Sequence, residues 1–169
     1  MAPDPMAARI QAQIDAPTSK RRYVRSLFGR IAGRYDLTND LMSLGRHRAW
    51  KRLALGLADI QPGHVVLDLA AGTGDFAIRA AKRGDARAVI AADLTWEMLA
   101  RGKTRADSAE VQWIQCDATY LPLPDRSVDR VLVGYGLRNF PDLNWCLGEV
   151  LRCLTPGGKL VSLDFGRAE

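Results

Sequence analysis

The sequence is short of several things. It has three cysteines in 169 residues, and 7% of the chain is aromatic. Cys116, Cys146 and Cys153 are odd in number and follow neither a CxxC nor a zinc-ligand spacing, which excludes a disulfide framework and points to no metal. All three read as reduced core residues, with Cys146 and Cys153 on one apolar face of a helical stretch. No uncharged apolar run approaches the roughly 20 residues that span a bilayer. The first residues, MAPDPMAARIQAQIDAP, carry Asp4 and no apolar stretch of signal-peptide type. The expected location is therefore cytoplasmic. What is present is ordinary for a globular chain: 47% hydrophobic and 25% charged. That excludes a disordered or collagen-like polymer.

The charge is +5 overall, but it is unevenly placed. Residues 1–60 hold eleven Lys+Arg against five Asp+Glu, while residues 61–169 hold thirteen against fourteen. The basic character belongs to the N-terminal third. A basic segment suits nucleic acid, an anionic membrane surface or an acidic ligand. Only Tyr23, Phe28, Tyr35 and Trp50 interleave with these charges, which is thin for a nucleic-acid surface.

Residues 1–18 read as a loose tail. Residues 19–34 read as a helix with Val24, Leu27, Phe28 and Ile31 on one face and arginines on both flanks. That pattern fits either packing on the body of the protein or a helix lying on an anionic membrane. A turn around Tyr35–Asn39 and a helical turn ending at Gly45 follow, then a second basic helix over 46–58.

After Pro62-Gly63 the pattern alternates. Strands are expected at 64–70, 86–93, 110–116, 128–134 and 159–165. Helices are expected at 74–83, 95–106 and 141–155, with Pro156-Gly157-Gly158 breaking the last from the fifth strand. The crossovers imply an α/β fold, a parallel sheet with helices on both faces. Ligands in such sheets bind beyond the carboxyl ends of the strands.

Those ends carry the informative residues. Gly72, Thr73 and Gly74 follow strand one, where the backbone must turn tightly beside a ligand. Gly72-x-Gly74-x-x-Ala77 satisfies the loose dinucleotide pattern, so a nicotinamide enzyme is one reading. Asp68 argues against it, because a carboxylate inside the strand end suits an ammonium better than a pyrophosphate. Asp93 closes strand two and suits ribose hydroxyls. Asp117 and Ala118 follow strand three, and Gly134 ends strand four. Each Asp alone is as well explained as a helix or turn cap. Together they describe a ligand with an ammonium, a ribose and an adenine amino group, which fits S-adenosyl-L-methionine.

Further segments carry a family resemblance. They are Tyr35-Asp36-x-x-Asn39-x-x-Met42-Ser43-x-x-x-His47-x-x-Trp50, Leu67 to Asp75, Gly136-Leu137-Arg138-Asn139, and Leu154-x-Pro156-Gly157-Gly158-x-Leu160 with Leu163-Asp164-Phe165. Over about residues 20–166 the chain resembles the ubiquinone/menaquinone biosynthesis C-methyltransferase family of class I methyltransferases. Thr38, Thr155, Asp164 and Gly166 depart from the family pattern. The resemblance implies a Rossmann-like class I methyltransferase sheet with an N-terminal helical cap and with the last two strands missing. It implies a tail at 1–18, a cap on the substrate side at 19–60 and a cofactor domain at 61–169.

The implied reaction is C-methylation of a prenylated quinol, demethylmenaquinol or the ubiquinone-pathway benzoquinol. The implied catalytic residues are Arg138, Asn139 and Tyr35. His47 is a general-base candidate by residue type, with a structural role as the alternative. Asp164, at the end of strand five, is a further candidate to face the site. The expected partners are the quinol and, at the periphery, an anionic membrane. A homodimer is compatible with the sequence, which assigns no oligomeric state. The competing readings are another small-molecule or nucleic-acid methyltransferase, and an inactive cofactor-binding fragment.

Overall fold

The first strand, β1 (Val65–Leu69), is buried at every position, as expected of the centre of a parallel sheet. In a computed structural model, which describes residues 17–31, 46–105 and 107–164, five parallel strands lie in the order β3-β2-β1-β4-β5. Two helices precede the sheet, α1 (Pro17–Ile31) and α2 (His47–Ala58). Then come α3 (Asp75–Ala81), β2 (Ala88–Asp93), α4 (Trp96–Lys103), β3 (Val111–Gln115) and β4 (Val128–Gly134). A 3-10 turn at Leu137–Asn139, α5 (Leu143–Cys153) and β5 (Leu154–Leu163) complete the order.

Side chains alternate across the strands and build a core on each face. Val66, Val89, Ala91 and Leu132 pack under α2 and α3. Leu67, Ile90, Val131 and Val133 pack against Cys146, Val150 and Cys153 of α5 on the other face. Asp68 shares the face of Val66 by the same two-residue period, and so points toward α2 and α3.

Helix α2 is fixed by side chains from the sheet domain. The buried Arg130 of β4 donates to the carbonyls of Ala58 and Asp59, which would otherwise be orphaned at the helix end. Arg83 donates to the Leu55 carbonyl at 3.1 Å.

The sequence boundaries shift in places. Helix α1 starts at Pro17 and so takes in the last two residues of the expected tail. Residues 1–16, the rest of that tail, lie outside the described residues, as do Tyr35 and the turn around it. Pro156-Gly157-Gly158 does not separate helix from strand. Helix α5 ends at Cys153, β5 begins at Leu154, and the Pro-Gly-Gly segment is an irregularity inside that strand. There, two steps along β4 (Val128 to Arg130) face five along β5 (Leu154 to Lys159). Gly157 takes φ +81°, a conformation that glycine reaches without a steric cost.

Candidate active site

The strand order reverses beside β1: the chain runs outward through β2 and β3 and returns to the other side as β4. Beyond the carboxyl ends of these strands lies a cleft, covered by Val24 and Phe28 of α1. A smaller cavity adjoins it toward α2 and α3, and both share Ala70, Gly134 and Tyr135. Ala70 and Tyr135 are left-handed, at φ +56° and +60°. Such conformations cost roughly 1–3 kcal/mol each and concentrate at functional sites. The two turns fit closely, because a Cβ on Gly136 would stand 2.7 Å from that of Ala70.

At one end of the cleft, Asp93 accepts hydrogen bonds from the Gly72 and Thr95 amides, each at 2.8 Å. It therefore ties the loop after β1 to the loop after β2. Burial raises its carboxyl above the usual range, against the stabilising effect of those donors. Asp117 accepts from the amide and hydroxyl of Thr119 and forms an ion pair with Arg21 of α1 at 2.6 Å. Ala118 and Cys116 line the same stretch. Cys116 packs against the core that holds Cys146 and Cys153 and also lines the cleft. Burial pushes its thiol up to about 12, so it stays protonated and inert at neutral pH.

The other end holds buried charge. Asp68 is 1% exposed and accepts from the Ala77 amide at 2.8 Å. It satisfies an orphan donor at the start of α3, whose N-cap residue is Gly74. Burial pushes the Asp68 carboxyl up to about 7. Asp75, the first residue of α3, binds Lys51 of α2 at 2.8 Å and Arg79 at 3.1 Å. Burial opposes its ionisation, but the Lys51 and Arg79 charges hold it down to about 2. Two carboxylates therefore stand where a dinucleotide pyrophosphate would meet the helix N-terminus. Asp75 is already balanced by cations, and Asp68 suits a further one.

Of the residues expected to bind cofactor, Gly72, Asp93, Asp117, Ala118 and Gly134 line the main cleft, and Asp68 and Gly134 line the smaller cavity. Thr73 is buried and lines neither. Gly74 lines neither as well: a Cβ there would stand 2.3 Å from the ring of Trp113, which also fills the space beside Gly102. Of the residues expected to act on the substrate, Asn139 lines the cleft and its side-chain amide donates to the Tyr135 carbonyl at 3.5 Å. Arg138 lies outside the cleft, 54% exposed, 3.8 Å from Asp164. Tyr35 lies outside the described residues. His47 opens α2, and its side chain is not among those described.

Sequence reasoning missed Lys51, Trp113, Ala70 and Tyr135. Lys51 sits among other basic residues and looks like surface charge. Its spacing to Ala54, Leu55 and Ala58, all on one helical face, was the available signal.

A model of the ubiE/COQ5 methyltransferase family matches residues 16–169. The chain is 44% identical over 151 residues to a ubiquinone/menaquinone biosynthesis C-methyltransferase from Methylococcus capsulatus, covering 86% of this chain and 61% of that one. A protein of the same description from Bordetella parapertussis is 45% identical over 151 residues, covering 88% and 58%. The chain thus spans about three fifths of the length of the curated relatives it matches. Among solved structures, an S-adenosylmethionine-dependent methyltransferase from Mesorhizobium loti superposes with a TM-score of 0.59 at 27% identity, covering 66% of this chain and 51% of that one. Family match, identity and sheet order agree: the chain belongs to the ubiE/COQ5 methyltransferase family.

Proposed function

We propose that the chain binds S-adenosylmethionine and forms the cofactor-binding part of a quinone-biosynthesis C-methyltransferase. The observation that carries this is the pair of joined cavities with carboxylates at three strand ends, Asp68, Asp93 and Asp117. The donor set fits the group. Asp93 would receive ribose hydroxyls, the stretch at Asp117 and Ala118 the adenine, and Asp68 the ammonium. When bound, S-adenosylmethionine supplies an electrophilic methyl group.

The substrate class follows from the relatives, whose descriptions name ubiquinone and menaquinone biosynthesis. It is a prenylated hydroquinone, demethylmenaquinol or the ubiquinone-pathway benzoquinol. Its ring carbon becomes nucleophilic as the adjacent phenol loses a proton. The amide of Asn139, at the cleft wall, orients a quinol oxygen. Arg138 moves in from its exposed position to stabilise the phenolate by a charge-assisted hydrogen bond. Arginine stays protonated, so water carries the phenol proton away. Val24, Phe28, Phe140 and Pro141 line the cleft with apolar surface that excludes bulk water.

The expected setting is the cytoplasm with peripheral membrane contact. Among the described residues no helix is long and apolar enough to cross a membrane. Helix α1 exposes Tyr23 and Leu27 beside Arg22 and Arg25, although Val24 and Phe28 of its apolar stripe turn to the cleft. Pelleting with anionic but not neutral vesicles, abolished by salt, would support this contact. Equal pelleting on both would remove it.

Complementation tests the activity. The chain is expressed in cells lacking the quinone methyltransferase, and the extracted quinones are weighed. Methylated quinone supports the proposal, while demethylated quinone alongside soluble protein points to an inactive fragment.

A further inference from the structure

Helix α2 carries a buried charge. Lys51 is 8% exposed and continues the inward face formed by Ala54, Leu55 and Ala58. Burying an ammonium beside that apolar row is costly unless it is paired. Its partner in the structure is Asp75, at 2.8 Å. Yet Asp75 already has Arg79 at 3.1 Å, and Arg105 at 3.6 Å. Asp75 therefore has two cations besides Lys51.

The surroundings of Lys51 are informative. Its ammonium lies 5.8 Å from the centre of the Phe76 ring and 6.0 Å from that of Tyr135. Together with Asp68, Ala70 and Gly134 these residues wall the smaller cavity. That cavity joins the main cleft through Ala70, Gly134 and Tyr135, on the side away from Asp117. It offers a buried cation and a buried carboxylate, the two complements of an α-amino acid zwitterion.

We propose that Lys51 is the cofactor's carboxylate ligand, binding the α-carboxylate of its amino-acid end while Asp68 receives the adjacent ammonium. This rests on the proposed use of S-adenosylmethionine. In the ligand-free chain Asp75 holds the ammonium in place, and the incoming carboxylate shares it. The cofactor site then includes a residue from the segment before Pro62, so the cap and the sheet domain form it together. Arg130 and Arg83 hold α2 on the sheet domain by its carbonyls, so Lys51 is positioned before any ligand arrives.

The test compares two nucleosides by titration calorimetry on the full chain. S-adenosylhomocysteine has the amino-acid end, and 5′-methylthioadenosine lacks it. Lys51→Met should weaken S-adenosylhomocysteine about ten- to a hundredfold, the loss of one charge-assisted contact, and leave methylthioadenosine within about threefold. Lys51→Arg should recover part of the loss. Arg79 and Arg105 still balance Asp75 in Lys51→Met, and a melting curve of each variant without ligand checks that it folds. Should Lys51→Met not fold, Lys51→Arg carries the test through the ratio of the two affinities. Equal weakening of both nucleosides would make Lys51 structural and overturn the assignment, as would no change in either. If the unaltered chain binds neither nucleoside, the proposed function fails first and this assignment with it.

Discussion

The two ends of the site handle carboxylates differently. Asp93 and Asp117 are held by the chain's own donors: backbone amides for Asp93, and Thr119 with Arg21 for Asp117. At the other end Asp68 has one backbone donor and a carboxyl pushed up to about 7, next to a lysine drawn from a different part of the chain. The first end is pre-organised by contacts between loops and with α1, and offers acceptors to neutral hydroxyl groups. The second is an unsettled buried charge that a zwitterion would complete. Both ends join elements distant in sequence; what differs is that Asp93 and Asp117 each have several donors and Asp68 has one.

The largest effect should come from the first end. Asp93→Ala removes the proposed ribose acceptor and frees the Gly72 and Thr95 amides, so cofactor affinity should fall roughly hundredfold. Calorimetry checks it, and a loss below about threefold would show that this end does not hold the sugar.

The glycines packed on Trp113, behind the cavities, come next. Gly74→Ala places a methyl against Trp113 at a φ of +74°, and should destabilise the chain by about 2–4 kcal/mol in urea unfolding. Gly102→Ala meets the same ring and the Thr73 carbonyl, and should cost about as much. If either change is neutral, Trp113 does not wedge the loop.

Much of this was legible in the sequence and some was not. The strands ended close to where the apolar runs ended, because a central parallel strand is apolar on both faces and its boundary is sharp. Asp93 was legible as a strand-end residue because it closes its strand. Gly74 was read as a ligand contact when its neighbour is Trp113, a residue of another strand that no local pattern points to. Lys51 looked like one solvated charge among several. Its burial depends on where α2 lands, and that is decided by Arg130 and Arg83 far along the chain. The Pro156-Gly157-Gly158 segment looked like a stop, yet parallel pairing with β4 continues on both sides of it. In each miss a long-range contact overrode the local signal.

The pH response separates Asp68 from Asp75, at the same end, by sign. Burial raises Asp68 from 3.8 to about 7, so the folded ligand-free chain keeps a proton that the unfolded chain releases. This contribution to stability is fully present below about pH 4 and is lost as pH rises to about 7. Asp75 runs the other way: its pairing contributes above about pH 4 and is lost as pH falls toward about 2. A bound ammonium favours ionised Asp68, so cofactor affinity should rise between pH 6 and 8, by up to about tenfold per unit below 7. Asp68→Asn should flatten that rise, and a slope unchanged by Asp68→Asn would assign it to another group.

The smallest effect is expected at Arg21. Its side chain is 41% exposed, so breaking its ion pair with Asp117 should cost less than about 1 kcal/mol of stability. Arg21→Ala also releases Asp117, so cofactor affinity should hold or rise slightly. A large fall would move Arg21 from the cover of the cleft into the binding set.

The central claim is that the cleft takes a nucleoside with a charged amino-acid tail and rejects a dinucleotide. Titrating the unaltered chain with S-adenosylmethionine and, separately, with NADH tests it most directly. The account predicts one site for S-adenosylmethionine and no heat of binding for NADH. Tight NADH binding with none for S-adenosylmethionine would contradict it.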